Sequence, residues 1–150
     1  MNKVKREVGK DRDIIEIWEI LSRVSRNSRR KITGELYSLE IKPVEYKVLY
    51  VLSRDGTKSL VSLASCSEVS GPWITGVVDE LVRKGLVKKI RSNTDRRVIH
   101  VTITEKGKEV TSKGTLAYKR LIEMAMRDLT TDEISEFLSV LKKIDRTIKE

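Results

Sequence analysis

The sequence has 150 residues, enough to bury a real core and sized for one domain. Lys and Arg number 31 against 22 Asp and Glu, a net charge of +9 with a pI of about 9.7, so the surface field favours a polyanion, nucleic acid ahead of an anionic membrane. One cysteine and one histidine exclude an intramolecular disulfide and a structural zinc site, and no apolar run approaches the ~20 residues of a membrane span.

The opening MNKVKREVGKDRD lacks the apolar centre of a signal peptide, so a soluble cytoplasmic protein with no membrane partner is expected. From Ile14 the apolar positions Ile14, Ile17, Trp18, Leu21 and Val24 recur at helical spacing and resume at Ile32, Leu36 and Leu39, which predicts one long first helix. Its SRNSRRK stretch sets Arg23, Arg26 and Arg30 along a stripe. Pro43 suits the first turn of a second helix with Val44, Val48, Leu49, Val51 and Leu52 on its apolar face, ending before RDGTKS.

Two short helical patterns follow, Leu60–Cys66 and Gly71–Lys84, with SEVS between them. In the second, Ile74, Val77, Val78 and Leu81 make the buried stripe, Ser70 or Gly71 caps it and Pro72 sits in its first turn, so the pair reads as a helix-turn-helix. Gly85 stops the helix, LVKKI starts an extended segment, and after SNTD the chain returns as VIHVTI, a hairpin with one buried face. Thr104 caps a fifth helix with Glu105 in its first turn and apolar positions at Val110, Ala117, Leu121, Met124 and Ala125. After DLTTDE, Ile134, Phe137, Leu138, Leu141, Ile144 and Ile148 define a regular last helix.

A helix-turn-helix followed at once by a hairpin is a winged helix, whose second short helix enters the major groove while the hairpin lies against the flanking backbone. From Arg83 to Arg97 the chain carries Arg83, Lys84, Lys88, Lys89, Arg91, Arg96 and Arg97 against the single acid Asp95. Neutralising phosphates releases counterions, so the expected partner of this cluster is double-stranded DNA. A solvated, solubilising face is the other reading of such a run.

The order of elements, with LVSLASCSEVSGPWITGVVDELVRKGLVKK for the reader unit and DRRVIHVTITEKGKEV for the wing and next helix, resembles the MarR family of winged-helix transcription regulators. The Asp-Arg-Arg wing running into TEKG is the most specific part. The likeness covers about residues 41–110, and the flanking helices match in arrangement. It implies a mainly α winged helix-turn-helix with a small β-hairpin wing, flanked by N- and C-terminal dimerisation helices. Within one domain, 1–150, residues 12–40 and 104–150 would form the dimerisation region and 41–103 the DNA-binding region. It also implies a homodimeric repressor on a pseudo-palindromic operator, released by small aromatic acids such as a salicylate-like anion, with no cofactor. An architectural protein coating DNA without sequence preference is the rival.

The candidate DNA contacts are Ser70, Pro72, Trp73, Thr75 and Gly76 on the recognition helix and Arg91, Asp95, Arg96 and Arg97 on the wing. Asp95, alone among cations, reads as a carboxylate that aims Arg97. GPW opens the helix where the family pattern has smaller polar residues, so Trp73 is either a rim residue packing on a neighbouring helix or a groove contact to thymine methyls or sugars. Arg23 and Arg26 either keep the first helix soluble or line an anion pocket with Tyr118 as an aromatic wall. Cys66 reads as a small core residue and His100 as a surface or hydrogen-bonded histidine. With no nucleotide-binding glycine loop or metal-ligand cluster, catalysis is not expected.

Overall fold

The computed structural model describes residues 2–67, 70–91 and 98–149, with side chains from residue 11 onward. Among the described residues six helices and three short strands follow in the order α1 (Asn2–Ser38), α2 (Pro43–Asp55), β1 (Lys58–Ser59), α3 (Leu60–Ser67), α4 (Gly71–Arg83), β2 (Val87–Arg91), β3 (Ile99–Ile103), α5 (Glu105–Met126) and α6 (Thr131–Lys149). Helix α1 begins twelve residues before the first periodic position, Ile14. Lys, Arg and Glu are good helix formers, but a segment with no apolar stripe leaves no periodicity to detect.

The helix ends explain the turns. Helix α1 closes with Glu40 N–H on the Tyr37 carbonyl (2.9 Å) and Ile41 N–H on the Leu36 carbonyl (3.1 Å), with Glu40 itself at φ 60°. Helix α4 closes the same way, Gly85 on Val82 and Leu86 on Leu81, both at 2.9 Å, with Gly85 at φ 74°. This is the Schellman motif, and each copy buries the apolar pair that belongs to it, Leu36 with Ile41 and Leu81 with Leu86. Glycine suits the left-handed position after α4, whereas at Glu40 a side chain bears the strain.

Strands β2 and β3 form the expected hairpin, with Val87 opposite Ile103 and Arg91 opposite Ile99. The two-residue β1, too short to show alternation, adds to the other edge of β3, giving the sheet order β1-β3-β2. Val101 lies at the centre, fully buried, flanked across the sheet by Lys58 and Lys89. These two lysines turn to acids on neighbouring helices, Lys58 to Asp55 of α2 (3.3 Å) and Lys89 to Asp79 of α4.

One core joins the C-terminal part of α1, the buried faces of α2, α3 and α4, the sheet and the first half of α5. Helix α5 enters it through Gly107, Thr111 and Gly114, with Val110, Ala117 and Leu121 only partly buried and Met124 and Ala125 exposed. The apolar pattern overlooked the small residues because their use is close approach. A Cβ on Gly107 would lie 2.1 Å from the Leu86 carbonyl oxygen, and one on Gly114 would lie 2.5 Å from the Tyr46 ring. Helix α6 buries nothing; Ile134, Phe137, Leu138 and Ile148 along it are exposed, as are Ile14, Ile17 and Trp18 on α1. Among the described residues no helix is long and apolar enough to cross a membrane.

Candidate nucleic-acid interface

Helix α4 shows why its sequence divides into two faces. Ile74, Val77, Val78 and Leu81 are buried, while Ser70, Gly71, Pro72, Trp73, Thr75 and Gly76 are exposed along the other side. Ser70 is the N-cap through its backbone, its carbonyl accepting from Trp73 (3.1 Å) and Ile74 (3.0 Å), and its side chain makes no cap hydrogen bond. Pro72 in the first turn lacks the N–H that such a position leaves unsatisfied. The five predicted recognition-helix residues therefore share one accessible end and face of α4.

The basic cluster is less free than its sequence window indicates. Arg83 Nε donates to Glu80 (2.8 Å), Lys89 pairs with Asp79, and Lys84 Nζ donates to Glu45 (2.7 Å) with Glu80 at 3.8 Å. The acids lie just upstream on α4 and on α2, outside the Arg83–Arg97 stretch. Arg83 holds the Glu80 carboxyl down to about 2, and the same pair pushes the Arg83 guanidinium up. Lys88 and Arg91 on β2 are exposed and form no ion pair among the described residues. Asp95, Arg96 and Arg97 lie outside the described residues.

The TEKG segment proves to be a joint. Thr104 Oγ1 accepts from Gly107 N–H (3.0 Å) as the α5 N-cap and donates toward the Gly85 (2.8 Å) and Leu86 (3.0 Å) carbonyls, while Lys106 Nζ donates to the Lys84 carbonyl (3.0 Å). With Gly107 against Leu86, these contacts lock the end of α4 to the start of α5. The motif thus couples the reader helix to the long C-terminal helix.

A cleft of about 510 Å³ runs between α1, α2, α5 and the ends of α3 and α4, lined among others by Arg29, Lys47, Ser67, Trp73 and Tyr118. Tyr118 stacks on Tyr46 (5.1 Å between centroids, 23° between planes), and Tyr46 Oη lies 3.0 Å from Thr115 Oγ1. Burial raises the Tyr118 hydroxyl's pKa against the pull of Arg29 and Lys47, so at neutral pH it is a neutral donor. Among the described residues the Ser67 hydroxyl is buried without a hydrogen-bond partner. Arg29, which the sequence stripe omitted, is the guanidinium at this cleft; Arg26 lines an adjoining recess of about 420 Å³ with Arg29, Arg30 and Thr33, and Arg23 lines neither. Trp73, 59% exposed, stands at the cleft's edge. Cys66, expected in the core, is exposed on α3 because the buried positions there are Leu63 and Ser67; His100 is half-buried on β3.

A family model described as transcriptional regulator SarA/Rot matches residues 31–114, from the end of α1 through α2, the reader unit and the wing to the first part of α5. The chain is 33% identical over 133 residues to the uncharacterized HTH-type transcriptional regulator YpoP of Bacillus subtilis, covering 85% of this chain and 89% of that one. A mutant of MarR from E. coli complexed with operator DNA superimposes with a TM-score of 0.73 at 25% identity, covering 88% and 95% of the two chains. A MarR family protein from Bacillus stearothermophilus shares the fold at a TM-score of 0.79 and 21% identity, covering 93% and 98%. Core, caps, wing and relatives agree: the chain belongs to the MarR-type winged helix-turn-helix transcriptional regulators, which bind DNA and are not enzymes.

Proposed function

We propose that the chain acts as a homodimeric, sequence-specific repressor that sets α4 of each protomer into successive major grooves of a pseudo-palindromic operator. The observation that carries this reading is the exposed face Ser70–Gly76 of α4, together with Lys88 and Arg91 of β2, which are exposed and form no ion pair among the described residues. The face can meet base edges while the wing meets the backbone. Residues 12–40 and 104–150 form the dimerisation region and 41–103 the DNA-binding region. Apolar rows on α1 and α6 that nothing in one chain covers support this division, since such surface in water marks an interface.

Small aromatic anions occupy the Tyr118 cleft and weaken DNA binding. Stacked tyrosine rings and Arg29 supply the complementary chemistry, with Arg26 at the adjoining recess. Trp73, shared between cleft and reader face, fits the rim reading.

Footprinting in excess bulk genomic DNA tests the proposal against an architectural coat: a repressor keeps a protected operator, a coat does not. Half a helical turn of DNA inserted between the half-sites should abolish tight binding, because a symmetric dimer needs them about 10–10.5 base pairs, or a multiple, apart. Binding unchanged by the insertion would refute the symmetric dimer.

A further inference from the structure

Where α1 ends, α2 begins and α4 ends, one ammonium group meets a backbone and a side-chain acceptor. Lys84, the C-cap of α4, donates through Nζ to the Glu45 carboxylate (2.7 Å) and to the carbonyl of Glu40 (2.8 Å), the left-handed residue that closes α1. Glu45 is 1% exposed, and its same oxygen, Oε2, accepts the Lys42 N–H (2.7 Å) that starts α2. The Lys84 carbonyl in turn accepts from Lys106 at the start of α5. Four helix ends are therefore tied through Lys84 and Glu45.

A buried ion pair is poor at adding stability, since desolvation offsets much of its attraction, but it accepts only one arrangement of the elements that carry it. Here those elements are the end of α4 and the scaffold that α4 must be aimed from. The apolar stripe of α4 fixes which face is buried. It tolerates sliding and tilting that a pair of charges with three directional hydrogen bonds does not.

We infer that Glu45 is a positioning residue for DNA reading: through Lys84 it sets the angle at which α4 leaves the core, and so discriminates between DNA sequences without touching DNA. Lys84, with its charge matched by Glu45, contributes aim and no phosphate contact. The inference rests on the proposed docking of α4 in the major groove.

The test uses the full-length chain, duplexes that the wild type enriches from a randomised pool, and unselected duplexes from the same pool. Glu45→Gln keeps the side chain's shape and its bond to Lys42 but frees one cation, so simple electrostatics predicts tighter binding to both sets. Positioning predicts that affinity for enriched duplexes falls by about tenfold, the scale of one mismatched base pair, while unselected duplexes bind equally or more tightly. Lys84→Met, the second variant, should lose the same discrimination with the salt slope on unselected duplexes unchanged. Lys84→Arg, able to reach the same acceptors, should restore it. Melting curves recorded alongside keep every comparison on folded protein. Enriched duplexes held as tightly by Glu45→Gln as by wild type would overturn the inference. So would a Lys84→Met variant that loses both affinities together with about one unit of salt slope per protomer, since Lys84 would then be a phosphate contact. If the wild type enriches nothing, the fault lies with the DNA-reading proposal.

Discussion

Lys88 and Lys89 are neighbours on β2, yet the fold gives them different electrostatic surroundings, and alanine variants should separate them in a salt titration. Lys88 is exposed with no ion pair among the described residues, whereas Lys89, opposite Val101 on the core side of the sheet, is paired with Asp79. Each phosphate neutralised contributes about 0.9 to the slope of log affinity against log salt, so raising salt from about 50 to about 200 mM costs about 3.5-fold per contact. In a symmetric dimer every substitution counts twice, about 12-fold over that range. Lys88→Ala should flatten the slope by that amount on any duplex. Lys89→Ala weakens binding for another reason: it leaves Asp79, 60% exposed on α4, as an unmatched anion facing the polyanion. The double variant Asp79→Asn/Lys89→Ala should then recover wild-type affinity and slope, because the pair it removes has no net charge. Exposed pairs contribute little to folding, so melting temperatures should hardly move. Fluorescence anisotropy on unselected duplexes at several salt concentrations reads all of this. A double variant as flat in slope as Lys88→Ala would mean that Lys89 contacts phosphate in spite of Asp79, and the charge assignment would be wrong.

Gly107→Ala places a Cβ 2.1 Å from the Leu86 carbonyl oxygen and 2.7 Å from Ile103 Cγ1, so α5 must shift; a loss of about 1–3 kcal/mol in urea unfolding is expected, and an unchanged midpoint would show that the joint relaxes freely. The Glu80 carboxyl should titrate at about 2 by NMR and return toward its ordinary 4.5 in Arg83→Ala. Because its folded value is depressed, the stability it contributes is present above about pH 4.5 and is lost as pH falls through about 2; an unshifted carboxyl in the wild type would remove the pair from consideration. Deleting residues 131–149 should leave the core folded by circular dichroism, since α6 buries nothing in one chain, but light scattering should no longer find a dimer. A truncated chain that still dimerises would move the interface elsewhere.

Much of this architecture is local and therefore readable. Pro43 and Pro72 in first turns, Gly85 after α4 and Thr104 before α5 act through hydrogen bonds only a few residues long, and the Ile74–Leu81 stripe is a matter of helical spacing. What stayed hidden depends on partners far along the chain. Strand β1 exists only because β3 arrives beside it, Gly107 and Gly114 are core positions only because Leu86 and Tyr46 press on them, and Arg29 outranks Arg23 at the cleft only because Tyr118 comes from another helix.

The basic run is the most informative mixture of the two. Its cations are visible in the sequence and their pairing is not, because the acids Asp79 and Glu80 lie one turn before Arg83, outside the basic stretch. Helical geometry alone brings Glu80 within reach of residues three and four positions on, which are Arg83 and Lys84. A basic cluster that starts in the last turn of a helix therefore has to be counted together with the acids of the preceding turn. Counted so, the surplus moves off the helix end and onto β2, where an extended backbone sends successive side chains to opposite faces and Lys88 meets no acid among the described residues.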